Sequence, residues 1–281
     1  MATLIWKNKK KRLAIYGRKQ NENMKKTLTI VKVGGKIVED PASLSQLLDR
    51  FSKIEGLKML VHGGGRTATD VAGQLGIETH MVNGRRITDA QMLRVVTMVY
   101  GGLVNKNIVS QFSAMGLRAL GLTGADMNIV RSHRRPVTTE GVDYGFVGDV
   151  DSVDAEAIAM LVEGGVIPVV APLTLGDGGQ LLNTNADTMA GETAKAMSRL
   201  YDVTLMFCFE KKGVLLDADD DESVIPQITT ESYAELKERG VVSGGMLPKL
   251  DNSFKALRGG VGRVVITRSD QIGLCGTTIT L

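Results

Sequence analysis

The chain has 281 residues, 43% hydrophobic and 23% charged, enough for one large α/β core or two closely joined lobes. Its net charge of +3 is concentrated at the front, where residues 7–12 read Lys-Asn-Lys-Lys-Lys-Arg; the remainder is close to neutral, which argues against a nucleic-acid binder. Two cysteines, Cys208 and Cys275, give neither a disulfide framework nor metal spacing, and no apolar run approaches the ~20 residues of a membrane span, so a cytoplasmic protein is expected.

Residues 1–26 read as a basic leader outside the working domain. Such an arm could touch nucleic acid or acidic lipid, but a solvated, poorly ordered segment is the reading taken. It lacks the apolar core and cleavage site of a signal peptide, and Met24 opens a natural-looking start. A β-branched run at 28–33 then predicts a strand ending in Gly34-Gly35. Past Pro41, a first-turn proline, Leu44, Leu47, Leu48, Phe51 and Ile54 share one helical stripe. A strand at 59–61 runs into His62-Gly63-Gly64-Gly65 and a helix through Leu75. A turn at Asn83-Gly84 precedes a long helix from Asp89 to about Met115, with Asp89 at the end where an acid is favoured. The stretch 117–150 is rich in Gly, Thr, Val and Asp and predicts short antiparallel strands and turns.

Helix (154–163) and strand (167–171) then resume, Leu181-Leu182-Asn183 precedes a helix over 185–199, and 203–209 is a buried-type strand. An acidic loop at 217–222 reads as simply solvated; helices near 230–239 and 248–258 lead to a late strand at 263–267. Strand, glycine turn and helix in repetition predict a parallel sheet with helices on its faces. No internal repeat or linker divides 27–281, which is expected to be a single domain.

Three polar features fall at the C-terminal ends of predicted strands, where open parallel sheets bind ligands. Lys32 sits within an apolar strand, where an unpaired ammonium is costly; alternation turns it opposite to Val31 and Val33, toward a ligand or, on an edge strand, toward solvent. The glycines after His62 open a helix whose freed N–H groups suit an anion. Gly63, Gly65 and Ala68 also satisfy G-x-G-x-x-A, but the acid a dinucleotide site wants further on, Asp89, starts a helix instead. Asn183-Thr184-Asn185-Ala186-Asp187 is ordinary capping or a ligand-binding turn. Arg86 is a surface arginine or a bidentate carboxylate clamp, and Lys249 follows glycines near a helix start. No P-loop, protein-kinase motif, or metal or triad spacing among His62, His80 and His133 is present.

In this order, Val31-Lys32-Val33-Gly34-Gly35, Val61-His62-Gly63-Gly64-Gly65, Asn83-Gly84-Arg85-Arg86-Ile87-Thr88, Gly179 to Asp187, and Gly244-Gly245-Met246-Leu247-Pro248-Lys249 resemble the amino acid kinase family. The match runs from about Thr27 to the C-terminus, and five motifs in order are far more specific than any one. The asparagine-rich motif with the Asn-Gly-x-Arg segment points to the branch that acts on acylglutamate.

The resemblance implies an α/β fold, a three-layer αβα sandwich on a mainly parallel central sheet. Its N-lobe (about 27–190) would bind acylglutamate and its C-lobe (about 191–281) ATP. It implies ATP-dependent phosphorylation of the side-chain carboxylate of N-acetyl-L-glutamate, or of a related acylglutamate such as N-succinyl, giving an acyl phosphate in arginine or ornithine biosynthesis. Lys32 and Lys249 would bracket the transferring phosphoryl group, with Asp187 between them. Gly64 and Gly65 would donate to the attacked carboxylate, Arg86 would grip the other, Asn183 would bind the acylamide region, and Asn185 would also bind substrate. Gly34, Gly35, Glu210, Lys211, Lys212, Gly213, Val241, Val242, Ser243 and Gly245 would line the nucleotide. Mg²⁺ would be held mainly by the nucleotide phosphates, with no protein metal site.

No catalytic histidine is needed, because a glutamate side chain with pKa near ~4.3 is already ionised at neutral pH. A homodimer is implied. Some members carry an N-terminal helix that links dimers into a hexamer, and residues 1–23 are placed for one, though their basic sequence fits poorly. Phe209-Glu210-Lys211-Lys212 departs from the family's usual small or acidic residues, and Gly276-Thr277-Thr278 has threonine where a basic residue is common. Two other readings are an NAD-linked oxidoreductase using Gly63 to Ala68, and a non-catalytic sensor on the same fold; Lys32, Asp187 and Lys249 together speak against the second.

Overall fold

The computed structural model describes residues 25–243 and 246–281; most of the expected basic leader, together with Gly244 and Gly245, lies outside the described residues. In strand β1 (Thr27–Val33), Leu28 and Ile30 face one side and Val31 and Val33 the other, and all four are fully buried. Apolar residues on both sides of a strand require cover on both faces of its sheet. Helix α1 (Gly35–Glu39) follows directly, and α2 (Pro41–Ser52) starts where Asp40 accepts the Ser43 N–H at 2.7 Å and Pro41 occupies the first turn. The α2 stripe of Leu44, Leu47, Leu48 and Phe51 is buried, each side chain contributing roughly 1.5–3 kcal/mol by leaving water.

Strand β2 (Leu57–His62) and helix α3 (Gly65–Gln74) repeat the unit. The hairpin of β3 (Met81–Val82) and β4 (Arg85–Arg86) turns on Asn83 (φ 49°) and Gly84 (φ 71°), the paired left-handed residues of a tight two-residue turn. The long helix expected from Asp89 is there: α4 (Ala90–Val96), capped by Asp89, and α5 (Asn105–Ala114). Between them Thr97–Val104 widens into π-helical turns.

The stretch expected to be antiparallel throughout is only partly so. β5 (Ala119–Leu122) joins the main sheet in parallel, because the helical rod before it carries the chain back along the sheet; β6 (Val130–Arg134) and β7 (Gly148–Val153) do pair antiparallel. Next come α6 (Ala155–Glu163), β8 (Ile167–Val170), β9 (Leu173–Leu175), β10 (Leu181–Asn183) and α7 (Ala186–Met197). The chain closes with β11 (Asp202–Phe209), β12 (Gln227–Ile228), α8 (Thr230–Glu238), α9 (Met246–Arg258), β13 (Arg263–Arg268) and β14 (Thr277–Ile279).

The main sheet has eight strands in the order β12-β14-β13-β11-β1-β2-β8-β5, with β13–β14 its one antiparallel neighbour pair. Side chains from α1 to α5 cover Val31, Val33, Leu60 and Val169 on one face. Those from α6 to α9 cover Leu28, Ile30, Met59, Val61, Leu205 and Phe207 on the other. That is the three-layer αβα sandwich on a mainly parallel sheet. A four-stranded sheet, β10-β9-β6-β7, and the β3–β4 hairpin complete the N-terminal half. No described helix is long and apolar enough to cross a membrane.

Candidate active site

β1 is the hinge of the site because it lies at the middle of the sheet, between β11 and β2. Alternation puts Lys32 on the face of Leu28 and Ile30, 7% exposed, and its ammonium stands 2.6 Å from Asp187 Oδ1. That oxygen is buried and lies off the line a directed hydrogen bond needs, so the contact is a charge pair. Asp187 is held by the first turn of α7, where the Asn185 carboxamide oxygen caps the N–H groups of Asp187 (2.9 Å) and Thr188 (3.1 Å). Asn185 therefore caps the helix, as its residue type alone suggested, while also lining a cavity.

Lys249, in the first turns of α9, brings its ammonium to the same place by another route. It lies 3.6 Å from the centroid of the Phe209 ring, and Lys32 lies 5.3 Å from that same ring. Among the described residues Lys249 forms no ion pair, so Asp187 pairs with Lys32 rather than bridging both lysines equally. Burial lowers the Lys249 pKa; Asp187 opposes that shift and the neighbouring Lys32 adds to it. Lys32, Asp187, Phe209 and Lys249 line one cavity of about 410 Å³, together with Gly34, Gly35, Lys36, Glu210, Lys211 and Gly213. Glu210 is ion-paired to Lys36 across its mouth.

Four residues expected at the nucleotide do not line this cavity. Lys212 is drawn away to Glu222, and Val242 is buried in the core beneath α8 and α9 with Val241 packed against it; Ser243 is exposed. Gly245 lies outside the described residues. The acidic loop is also more than solvated, because Asp221 and Glu222 bind Lys211 and Lys212. Thr277 has a definite role: its hydroxyl accepts the Val214 N–H at 2.8 Å and fills the space beside Gly213.

A second cavity, of about 220 Å³, opens on the other side of the glycine turns. Gly35 lines both cavities, while the consecutive residues Ala186 and Asp187 line one each. The turns after β1 and β2 press together: a Cβ on Gly35 would sit 3.5 Å from the Gly65 nitrogen. Gly64 has φ 151°, and a Cβ there would meet the Tyr100 ring at 3.2 Å, so only glycine fits. As α3 begins, the Gly65 N–H has no intrahelical carbonyl to bond and is free for an anion.

Arg86 lies along the wall, its guanidinium donating to the Gly65 carbonyl (2.7 Å), Thr69 (2.8 Å) and Thr79 (3.2 Å). Asn183 is buried, its side-chain amide donating to Thr88 Oγ1 at 3.0 Å. Behind the glycines, His62 is fully buried with Nδ1 2.7 Å from the Gly63 carbonyl and Nε2 3.1 Å from the Asn105 amide. Burial lowers its pKa to about 4, so it stays neutral and packed, a support rather than a catalyst.

The sequence reading missed Tyr100, Arg85 and Arg135, all of which line the second cavity. Tyr100 lies in the π-helical segment, a widened turn of the kind that recurs at functional sites. Arg135 comes from an irregular stretch, where it pairs with Asp149, and nothing in the local sequence marks it. Asp89, the acid a dinucleotide site would require, is committed to capping α4.

Two cavities that share Gly35, one cationic with the pair Lys32–Asp187 in its lining and one lined by glycine turns and arginines, are the outline of a phosphotransferase. The profile of the Amino acid kinase family matches residues 27–268, and the chain belongs to that family. Within it, the chain is 62% identical over 257 residues to the acetylglutamate kinase of Bacteroides fragilis, covering 92% of this chain and 98% of that one. It is 63% identical over 249 residues to the acetylglutamate kinase of Phocaeicola vulgatus, covering 89% and 96%. A crystal structure from Streptococcus mutans superposes with a TM-score of 0.73 at 28% identity, over 90% of this chain and 98% of that one.

Proposed function

We propose that this chain transfers the γ-phosphoryl group of ATP to the side-chain carboxylate of N-acetyl-L-glutamate, giving an acyl phosphate and ADP in arginine biosynthesis. The observation that carries the reading is the junction of the two cavities at Gly35, with Lys32, Asp187 and Lys249 on the cationic side. The acceptor carboxylate and the γ-phosphate are both anions and repel as they approach. Lys32 and Lys249 neutralise charge on the phosphoryl oxygens, and Asp187 keeps Lys32 aimed at the junction. A carboxylate oxygen attacks phosphorus, the bond to the β–γ bridging oxygen breaks, and its electron pair leaves on ADP. No proton is moved, which suits a site where the one buried histidine is held neutral.

Gly34 and Gly35 offer N–H groups to the phosphates, and Gly64 and Gly65 to the attacked carboxylate; Arg86 and Asn183 hold the rest of the acceptor. Mg²⁺ enters with the nucleotide as part of the substrate. Asp187 and Glu210, the carboxylates lining the donor cavity, are each paired to a lysine, and no cluster of three metal-binding side chains occurs among the described residues. The family resemblance further supports a homodimer, and two unpaired cysteines suit a cytoplasmic location. Sedimentation equilibrium tests dimer against monomer and hexamer.

The deciding experiment traps the acyl phosphate as a hydroxamate, with ADP release measured in parallel, for N-acetyl-, N-succinyl- and unacylated glutamate. ADP and hydroxamate from N-acetylglutamate support the reading; binding without ADP release turns it into a sensor. A preference for N-succinylglutamate would place the extra carboxylate near Arg135, the arginine contributed by the 120–150 stretch.

A further inference from the structure

We propose that Phe209 is a positioning residue for phosphoryl transfer, its ring face holding the Lys249 ammonium at the donor side of the junction until phosphate replaces it. The proposal rests on the kinase reading of the site. Phe209 is the last residue of β11, and alternation from Leu205 and Phe207 turns it to the face that carries Lys32. Its ring stacks 6.1 Å from that of Phe207, nearly parallel at 9°, so the side chain is fixed from the core side. Two cations approach the same ring: Lys249 Nζ at 3.6 Å from the centroid and Lys32 Nζ at 5.3 Å.

A plain packing role accounts for the stack on Phe207 but not for an ammonium seated 3.6 Å from the ring centroid. Long lysines rarely leave water without compensation. Lys249 is partly buried near the like charge of Lys32, and among the described residues it has no carboxylate partner. The electron-rich ring face, in direct contact, adds to the longer-range attraction of Asp187. It also does so weakly. A full ion pair with Asp187 would have to break before Lys249 could reach a phosphate, whereas a ring face releases the ammonium readily. The ring lets Lys32, from a strand, and Lys249, from a helix, approach one cavity without a carboxylate bound directly to Lys249.

The test compares Phe209→Leu with Phe209→Tyr and Phe209→Trp in the full chain. Phe209→Leu is expected to lower kcat roughly 3- to 30-fold, the range of a partly desolvated cation–ring contact, with the KM for N-acetylglutamate within about twofold. The aromatic variants should keep most of the wild-type rate. An unchanged kcat in Phe209→Leu, or an equal fall in all three variants, overturns the proposal. A wild-type protein inactive on every acylglutamate instead overturns the kinase reading. A measurement independent of turnover covers a variant that folds poorly. In the wild-type protein without nucleotide, the ε-CH₂ proton resonance of Lys249, assigned by its loss in Lys249→Arg, should be shifted upfield by the ring and move back when an ATP analogue is added. An unshifted resonance overturns the proposal.

Discussion

The two cavities that meet at Gly35 are built from different materials. The acceptor side is main chain and side chains tied down by hydrogen bonds: Gly64 in a conformation only glycine adopts easily, Arg86 held by three donated bonds, Asn183 buried against Thr88. The donor side is made of long side chains, namely Lys32, Lys36, Glu210, Lys211 and Lys249, arranged by charge and by one aromatic ring. The contrast follows from what each must do. A small acid is selected by fixed hydrogen-bond geometry, while a phosphate chain that changes charge distribution during transfer is served by cations that can follow it. Changes on the donor side should therefore appear in kcat, and changes on the acceptor side in KM.

The largest effect is expected from Lys32→Ala and Lys249→Ala, each lowering kcat by roughly 10²–10³ with KM for N-acetylglutamate little changed. Equal loss of binding with turnover intact would break the division of labour. Asp187→Asn removes the partner that holds Lys32 and should lower kcat roughly 10- to 100-fold, since misplacing a catalytic group by an ångström is that costly. Wild-type turnover in this variant would show that Lys32 holds its position unaided.

His62, which supports the rigid side, makes stability depend on pH. Unfolded, it takes up a proton near its ordinary 6.5; folded, burial keeps it neutral down to about 4. Between those values the unfolded chain binds more protons, so stability falls as pH falls, by about 2 kcal/mol at pH 5 relative to pH 7. Urea melts at pH 7, 6 and 5 should show this loss, and His62→Gln should flatten it. A slope unchanged in the variant would assign the pH dependence to other groups. The smallest effect is Arg86→Lys, which should raise KM for N-acetylglutamate roughly tenfold, because a point charge cannot keep Gly65, Thr69 and Thr79 together while facing the acceptor. An unchanged KM would remove Arg86 from substrate binding.

Much of the fold was legible because local signals agreed with one another. Pro41 stands in the first turn of a helix, Asn83-Gly84 is a turn, and Leu44, Leu47, Leu48 and Phe51 share a helical stripe, although Ile54 lies just past its end. Short strands were not legible: β9 and β14 have three residues each, too few for a period to show, and exist because neighbours offer hydrogen bonds. β5 was misjudged for a related reason, since its direction was set by the helical rod before it rather than by its own residues.

For the site, the sequence by itself determined the parts whose chemistry is expressed locally. These are the glycine turns after β1 and β2, a lysine inside an apolar strand, and a capped acid at the start of α7. It could not determine who meets whom. That Lys32 pairs with Asp187 across 155 positions, that Lys249 rests on Phe209 instead of joining them, and that Arg135 enters the acceptor cavity were decided only by tertiary packing. The physical reason is that an ammonium can satisfy its charge on a carboxylate, a phosphate or a ring face, and only the folded chain determines which of these lies within reach.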